Sequence, residues 1–199
     1  MKRVLLVFIF LLSLSCNPAS ADEKIQCFKK AWGHPADGGL GLTRGQAIEL
    51  CDSAKDAGQV TQCYEQAWEH PANGGLGLTA GQAVDICTRA TDATEVIQCY
   101  EQAWGHPANG GLGLTAGQAV DICTRATDAS EVIQCYEQAW GHPDDGGLGL
   151  TAGQAVRLCA RSADAAEVIQ CYERAWGHPA DGGLGLTAGQ AIDMCRKSH

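Results

Sequence analysis

Ten cysteines alternate along the chain at two fixed separations, 24 and then 12 residues, and this spacing leaves few folds open. The two separations add to a period of 36 residues that is repeated five times. Such a period is typical of a repeat array, in which each unit buries its apolar face only against its neighbours. The cysteines form five successive couples: Cys27 and Cys51, Cys63 and Cys87, Cys99 and Cys123, Cys135 and Cys159, Cys171 and Cys195.

The start of the chain has the composition of an export signal. Lys2 and Arg3 precede an apolar run over residues 4–14, and the small residues at 19–21 fit a signal-peptidase site. The run is shorter than the roughly 20 residues that a helix needs to cross a bilayer. We therefore expect cleavage after Ala21 and export to the periplasm or the medium.

A lipid anchor is the alternative outcome of export. The residues before Cys16 resemble a bacterial lipobox, in which the cysteine becomes the acylated first residue, although the usual Leu lies one position too far away. Cys16 is lost in the first case and acylated in the second. Both outcomes leave ten cysteines for pairing.

Regularly spaced cysteines in even number predict disulfides in an exported chain, because its destination is oxidising. A metal framework is the alternative. Zinc sites usually bring two ligands within a few residues, however, and no two of these ten cysteines are nearer than 12. Pairing across the 24-residue gap closes five bridges, whereas pairing across 12 residues leaves Cys27 and Cys195 without partners. The longer pairing is the prediction.

The fourth unit illustrates the local structure that we expect in all five. Asp128 and Glu131 have the spacing of a capping box, and apolar residues follow at helical intervals as far as Trp140. Gly141 and a nearby proline end this first helix. After a glycine-rich loop, Thr151 begins a second capping box.

The second predicted helix carries Ala155, Leu158, Cys159 and Ser162 on one face. No segment alternates with the period of two that a half-buried strand shows. The chain is therefore predicted to be all-α, a solenoid of five disulfide-clamped helical hairpins with about ten short helices. The predicted divisions are a signal peptide at 1–21 and repeats at 22–55, 56–91, 92–127, 128–163 and 164–199.

A bridge between Cys135 and Cys159 joins positions that we expect near the middle of their helices, so it clamps the hairpin. The clamp has a physical reason, since a unit under about 40 residues seldom folds without a staple or a partner. The tryptophan at the end of each first helix is expected to fill the space under the loop. The alternative is a row of exposed rings that stack on sugars or aromatic side chains.

The helix pairs and the loop from Gly147 to Leu150, with Gln154 and Ala155 following, resemble the Sel1-like branch of the tetratricopeptide superfamily. The chain also resembles the exported, cysteine-rich Sel1-like proteins of bacteria, whose hairpins are disulfide-clamped. It differs in lacking the Leu-Gly pair of the first helix and in the spacing from the loop to the second helix. The resemblance implies a right-handed superhelix that binds protein or peptide on its concave face.

The loops carry the candidate binding residues, because every unit places a tryptophan and a histidine at the same two positions. Histidines one repeat apart are expected to lie roughly 10 Å from each other, which is too far to share one zinc ion. A histidine that braces the loop is the prediction, and no metal site or cofactor is expected. The candidates are Trp32, His34, Trp68, His70, Trp104, His106, Trp140, His142, Trp176 and His178.

Charge and repetition narrow the classes of function. Removal of Lys2 and Arg3 changes the formal net charge from −9 to −11, which disfavours nucleic acid and anionic membranes and favours a cationic partner. No catalytic residue is predicted, because an enzyme usually gathers different residues into one cleft. The predicted function is an exported scaffold that binds protein or peptide. The alternatives are a module that binds metal ions or sugars through the loops, and a cell-envelope hydrolase.

Overall fold

The structure, a computed structural model, describes residues 21–196, and all regular elements in this range are helices. Five helices of 12 residues alternate with five helices of eight residues, which confirms the predicted all-α array of hairpins. The helices are α1 Ala21–Trp32, α2 Arg44–Cys51, α3 Ala57–Trp68, α4 Ala80–Cys87, α5 Ala93–Trp104, α6 Ala116–Cys123, α7 Ala129–Trp140, α8 Ala152–Cys159, α9 Ala165–Trp176 and α10 Ala188–Cys195.

The helices pack in two layers that run along the array. Each long helix contacts the next long helix, and each short helix contacts the next short one. The interior is built from small residues, with one Leu or Ile of each short helix among the largest buried side chains. These residues are Leu50, Ile86, Ile122, Leu158 and Ile192.

All five disulfides join cysteines 24 residues apart, as predicted, and so lie within hairpins. The Cα atoms of Cys135 and Cys159 are 5.6 Å apart, within the normal range for a disulfide. Five disulfides indicate an oxidising environment. The predicted signal peptide, apart from Ala21, and Cys16 lie outside the described residues. Between residues 21 and 196 no helix has the length and apolar character needed to span a membrane.

The two predicted capping boxes differ in outcome. The box at Thr151 and Gln154 is confirmed, with both reciprocal hydrogen bonds present. At the start of α7 the Asp128 carboxylate accepts from the Glu131 amide, but no return bond from the Glu131 side chain forms. The Glu131 carboxylate instead accepts a 2.7 Å hydrogen bond from the backbone amide of Ala165, at the start of the next hairpin.

Four bonds of this kind cross the joints between hairpins. In each, a Glu or Gln in the first turn of one long helix accepts from the first amide of the next long helix, 34 residues later. These amides have no acceptor within their own helix, so the preceding repeat completes their hydrogen bonding. The pairs are Glu23 with Ala57, Gln59 with Ala93, Glu95 with Ala129 and Glu131 with Ala165.

The short helices end earlier than the sequence predicted. Cys159 is the last residue of α8, not a central one, and Ser162 is buried in the turn that follows. There the Ser162 amide donates to the Cys159 carbonyl over 2.9 Å, Ala160 has φ −53° and ψ 122°, and Arg161 has φ +72°. These angles define a type II turn, whose third position normally carries glycine. Arginine occupies that position after α4, α6 and α8.

Candidate functional site

The five tryptophans are exposed, so the expectation that they fill the space under the loops is wrong. Each indole keeps 56–58% of its surface accessible. The physical reason is position, because each tryptophan is the last residue of a 12-residue helix whose partner helix has only eight residues. The structure thus matches the alternative of an exposed aromatic row, formed by Trp32, Trp68, Trp104, Trp140 and Trp176.

Three of the exposed indoles rest on buried tyrosine rings. Tyr100 lies one helical turn before Trp104, is 3% exposed, and has its ring centroid 6.4 Å from the indole at an interplanar angle of 19°. The same stacking joins Tyr136 to Trp140 and Tyr172 to Trp176. Burial raises the pKa of the Tyr100 hydroxyl. One face of each of these indoles is therefore supported by the core, while much of the ring faces solvent.

Each histidine braces its loop, as predicted. The loop forms a short 3₁₀ helix immediately after the histidine, at Pro35–Asp37, Pro71–Asn73, Pro107–Asn109, Pro143–Asp145 and Pro179–Asp181. His142 is the N-cap of its 3₁₀ helix, and its Nδ1 accepts from the Asp144 amide over 3.2 Å. Acceptance by Nδ1 requires the neutral tautomer with its proton on Nε2. The imidazole thus performs the capping role that Asn, Asp or Ser usually performs.

Beyond the histidine the loop folds back against the end of the long helix. The amides of Leu148 and Leu150 donate to the carbonyls of Gln138 and Ala139, both over distances of 2.9–3.0 Å. These bonds satisfy carbonyls that a helix end leaves without partners. A Cβ on Gly147 would overlap the backbone of Gly141, so the close approach of these two backbone segments requires glycine. These contacts hold the loop against the helix end that carries the tryptophan.

Neighbouring loops combine to form a cavity of about 770 Å³ between the second and third repeats. Trp104 and His106 line one side, together with Tyr100 beneath them. Pro71 and Leu76, from the loop of the preceding repeat, line the other side. The structure therefore brings a predicted tryptophan and a predicted histidine into one site, completed by apolar residues one repeat earlier.

The rim of this cavity is acidic. Glu101 lines it, directly after Tyr100 in sequence. An exposed glutamate occupies the equivalent position in the repeats that follow, at Glu137 and Glu173. A carboxylate beside an exposed indole favours a cationic side chain, because both the charge and the ring face attract it.

The geometry offers little to a metal ion. The described part of the chain contains no group of three or more His, Cys, Asp or Glu side chains that could hold one. The Nδ1 atom of each of the five loop histidines already accepts a backbone hydrogen bond. The Asp144 carboxylate lies 3.5 Å from Nδ1 of His142.

Two parts of the site were not predicted from the sequence. The first is the wall that Pro71 and Leu76 contribute across the joint between repeats. The second is the support of the indole by Tyr100, although the four-residue spacing of the two aromatic residues on one helix indicates it. The first depends on how close neighbouring loops lie, which a repeat period alone does not specify.

Comparisons with known protein families, with curated proteins and with solved structures found nothing that matches this chain. The chain is a helical repeat protein with five disulfides, each joining cysteines 24 residues apart.

Proposed function

We propose that this protein is an exported, non-enzymatic scaffold that binds a protein or peptide through its row of tryptophan loops. This name covers the five tryptophans at the ends of the long helices and the loops that follow them. The observation that carries the proposal is the exposure of all five indoles, each at the end of a long helix and followed by a loop that a histidine braces. Exposed aromatic residues on a rigid support are enriched at protein interfaces, because they bury a large area at a small cost in conformational entropy. A soluble protein with no partner has no evident reason to keep five such rings in solvent.

The partner segment is proposed to be basic as well as apolar. The cavity at Trp104 combines aromatic and aliphatic walls with the carboxylate of Glu101. Lys or Arg can place its stem against Leu76 and its charge near the indole face and the carboxylate. The net charge of −9 for the full chain also attracts a basic segment at long range.

Export and family are part of the same proposal. The composition of residues 1–21 and the oxidising environment that five disulfides need support a periplasmic or secreted protein, with a lipid anchor at Cys16 as the alternative. The helical repeats and disulfide-clamped hairpins support a relationship to the exported Sel1-like proteins. The absence of catalysis is proposed because every repeat presents the same residues, whereas a catalytic cleft usually combines different ones.

Peptide display on the oxidised protein tests the binding function. All five tryptophans of the chain lie in the row, so intrinsic fluorescence reports only on this surface. We expect selected peptides to be rich in Lys or Arg beside apolar residues and to shift the tryptophan emission to shorter wavelength. The variant W68A/W104A should bind them more weakly, whereas I48A, which removes an exposed apolar side chain of α2, should not. Selected peptides that leave the emission unchanged would contradict the proposal.

A sugar-binding module is the second candidate, and the supported indole is the observation that favours it. Each stacked indole has one face on a tyrosine and much of its surface in solvent, which is the geometry on which sugar rings stack. Titration with soluble peptidoglycan fragments and with chitin oligomers distinguishes the candidates. A fluorescence response to glycans, with none to selected peptides, would favour sugars. Metal binding through the histidines is tested by the same titration with Zn²⁺.

A further inference from the structure

The three arginines in type II turns form a column on the edge of the array opposite the tryptophan loops. The tryptophans end the long helices, and the arginines follow the ends of the short helices that run back across the hairpins. The column consists of Arg89, Arg125 and Arg161, with φ values of +67°, +69° and +72°. Successive members are one repeat apart, roughly 10 Å by the spacing of packed helices.

The position of these arginines is unexpected for the backbone alone. A type II turn accommodates glycine or asparagine at this position, and a long side chain there carries a conformational cost. In the first repeat the equivalent residue is Ser53, and its turn has Asp52 at φ −56° and ψ −32°, so no left-handed residue is needed. Nothing in the turn itself requires arginine.

The column lines a groove of about 470 Å³ that is wholly cationic in its charged groups. Lys55 joins the three arginines, and the other lining residues are small or carry hydroxyl groups. No carboxylate lines the groove, although the chain has 23 acidic residues and only 14 basic ones. None of the ion pairs among the described residues includes Lys55, Arg89, Arg125 or Arg161.

Arg125 lies at the centre of the column, and the protein leaves its charge uncompensated. Its Nε atom is buried and has no hydrogen-bond acceptor among the described residues. Burial, followed by the positive charges of Arg161 and Arg89, lowers the pKa of the guanidinium from its ordinary value. Removal of a charged donor from water without an acceptor is unfavourable, and like charges beside it add to the cost. An anion in the groove offsets the repulsion between these positive charges.

We infer that this groove binds a small acid with several carboxylate or phosphate groups, one of which is held by Arg125 between Arg89 and Arg161. Guanidinium groups recognise both kinds of oxyanion through paired hydrogen bonds. A volume of about 470 Å³ lies in the range of small-molecule sites. The groove has no aromatic side chain on which a nucleobase could stack, so its chemistry is that of acidic groups alone.

Calorimetric titration of the oxidised protein with citrate and with tripolyphosphate, at constant ionic strength, tests the inference. The wild-type protein should bind at least one of them and should bind acetate far more weakly, because a single carboxylate cannot engage three arginines. The better of the two probes identifies the ligand source as a polycarboxylate or an oligophosphate. Binding should leave tryptophan emission unchanged, which separates this site from the proposed peptide surface.

Variants at the column complete the test. R125G should weaken binding by at least about tenfold, as loss of a charge-assisted pair of hydrogen bonds requires. Glycine suits the turn, so the thermal midpoint of R125G without ligand should equal or exceed that of the wild type. R174Q removes the same charge from an exposed site on α9 and should leave the affinity unchanged. R89G and R161G should each weaken binding by a smaller factor.

Three results would overturn the inference. The first would be that neither citrate nor tripolyphosphate binds the wild-type protein more tightly than acetate does. The second would be that R174Q and R125G weaken binding equally, because only the overall charge would then attract the anion. The third would be that R125G unfolds at a lower temperature than the wild type, because the arginine would then serve the turn.

Discussion

The carboxylate of Glu131 accepts a 2.7 Å hydrogen bond from the backbone amide of Ala165, and this bond links one disulfide-closed hairpin to the next. The amide is the first of α9 and has no acceptor in its own helix. In the second repeat a glutamine, Gln59, makes the equivalent bond to Ala93 over 2.7 Å. The joint therefore needs an acceptor oxygen, not a charge.

Replacement of Glu131 tests the contribution of this joint to stability. E131A should lower the free energy of unfolding by about 1–2 kcal/mol, because it leaves a partly buried amide without an acceptor. E131Q keeps an acceptor oxygen and should stay within about 0.5 kcal/mol of the wild type. E137A, on the exposed face of the same helix, is the control for loss of a glutamate. Urea unfolding followed by circular dichroism measures all three, and equal losses in E131A and E131Q would contradict the prediction.

The disulfides are predicted to supply a large part of the stability of each hairpin. The double variant C135A/C159A should lower the free energy of unfolding by roughly 3 kcal/mol on the chain-entropy estimate for a loop of this length. Hydrogen exchange should accelerate most in α7 and α8, because contacts in a repeat array are local. Peptide mapping without reduction checks the pairing itself, and a peptide that links Cys51 to Cys63 would refute it.

The exposure of the tryptophan row predicts the fluorescence of the folded protein. Emission should resemble that of indole in water, and acrylamide should quench it efficiently in the native state. Unfolding in urea should change the emission maximum only slightly, since the rings are already in solvent. A strongly blue-shifted native spectrum would show that the indoles are buried, as their helical spacing first suggested. W104A should remove about a fifth of the signal without a large loss of stability.

The capping role of histidine predicts which substitutions the loop tolerates. H142N should retain the cap, because the asparagine side chain can accept from the same amide, whereas H142A should not. The expected loss in H142A is about 1 kcal/mol and local. Exchange of the Asp144 amide, followed by nuclear magnetic resonance, measures it directly. Similar protection of this amide in H142A and H142N would contradict the role assigned to Nδ1.

The hairpins could be predicted from the sequence because they depend on local periodicity. The disulfides could be predicted because only pairing across 24 residues uses all ten of the regularly spaced cysteines. Trp140 could not be placed in the same way. Its spacing from Tyr136 puts it on the inner stripe of α7, but periodicity does not reveal that α8 is too short to cover the last turn. Prediction from the sequence thus identified the face of the helix and not the length of its partner.

Glu131 and Arg125 were harder to predict for related reasons. Glu131 has the spacing of a local capping box, yet an amide of the next repeat competes for its carboxylate and binds it. Arg125 adopts a left-handed backbone conformation that its residue type does not favour. The hydrogen bond of Glu131 depends on a residue of the next repeat, and the backbone conformation of Arg125 depends on the turn. Local propensity reveals neither of these two features.

The bond from Glu131 to Ala165 also bears on how the number of repeats can change. Each interior hairpin offers one acceptor to its successor and one amide to its predecessor, always 34 residues apart. Insertion or deletion of a whole 36-residue unit therefore breaks no disulfide and leaves every joint complete. Residues 63–98 and 99–134 differ at only two positions, as a recent duplication would leave them. The length of the array, and with it the number of tryptophan loops, can thus vary between descendants of one gene without a redesign of the fold.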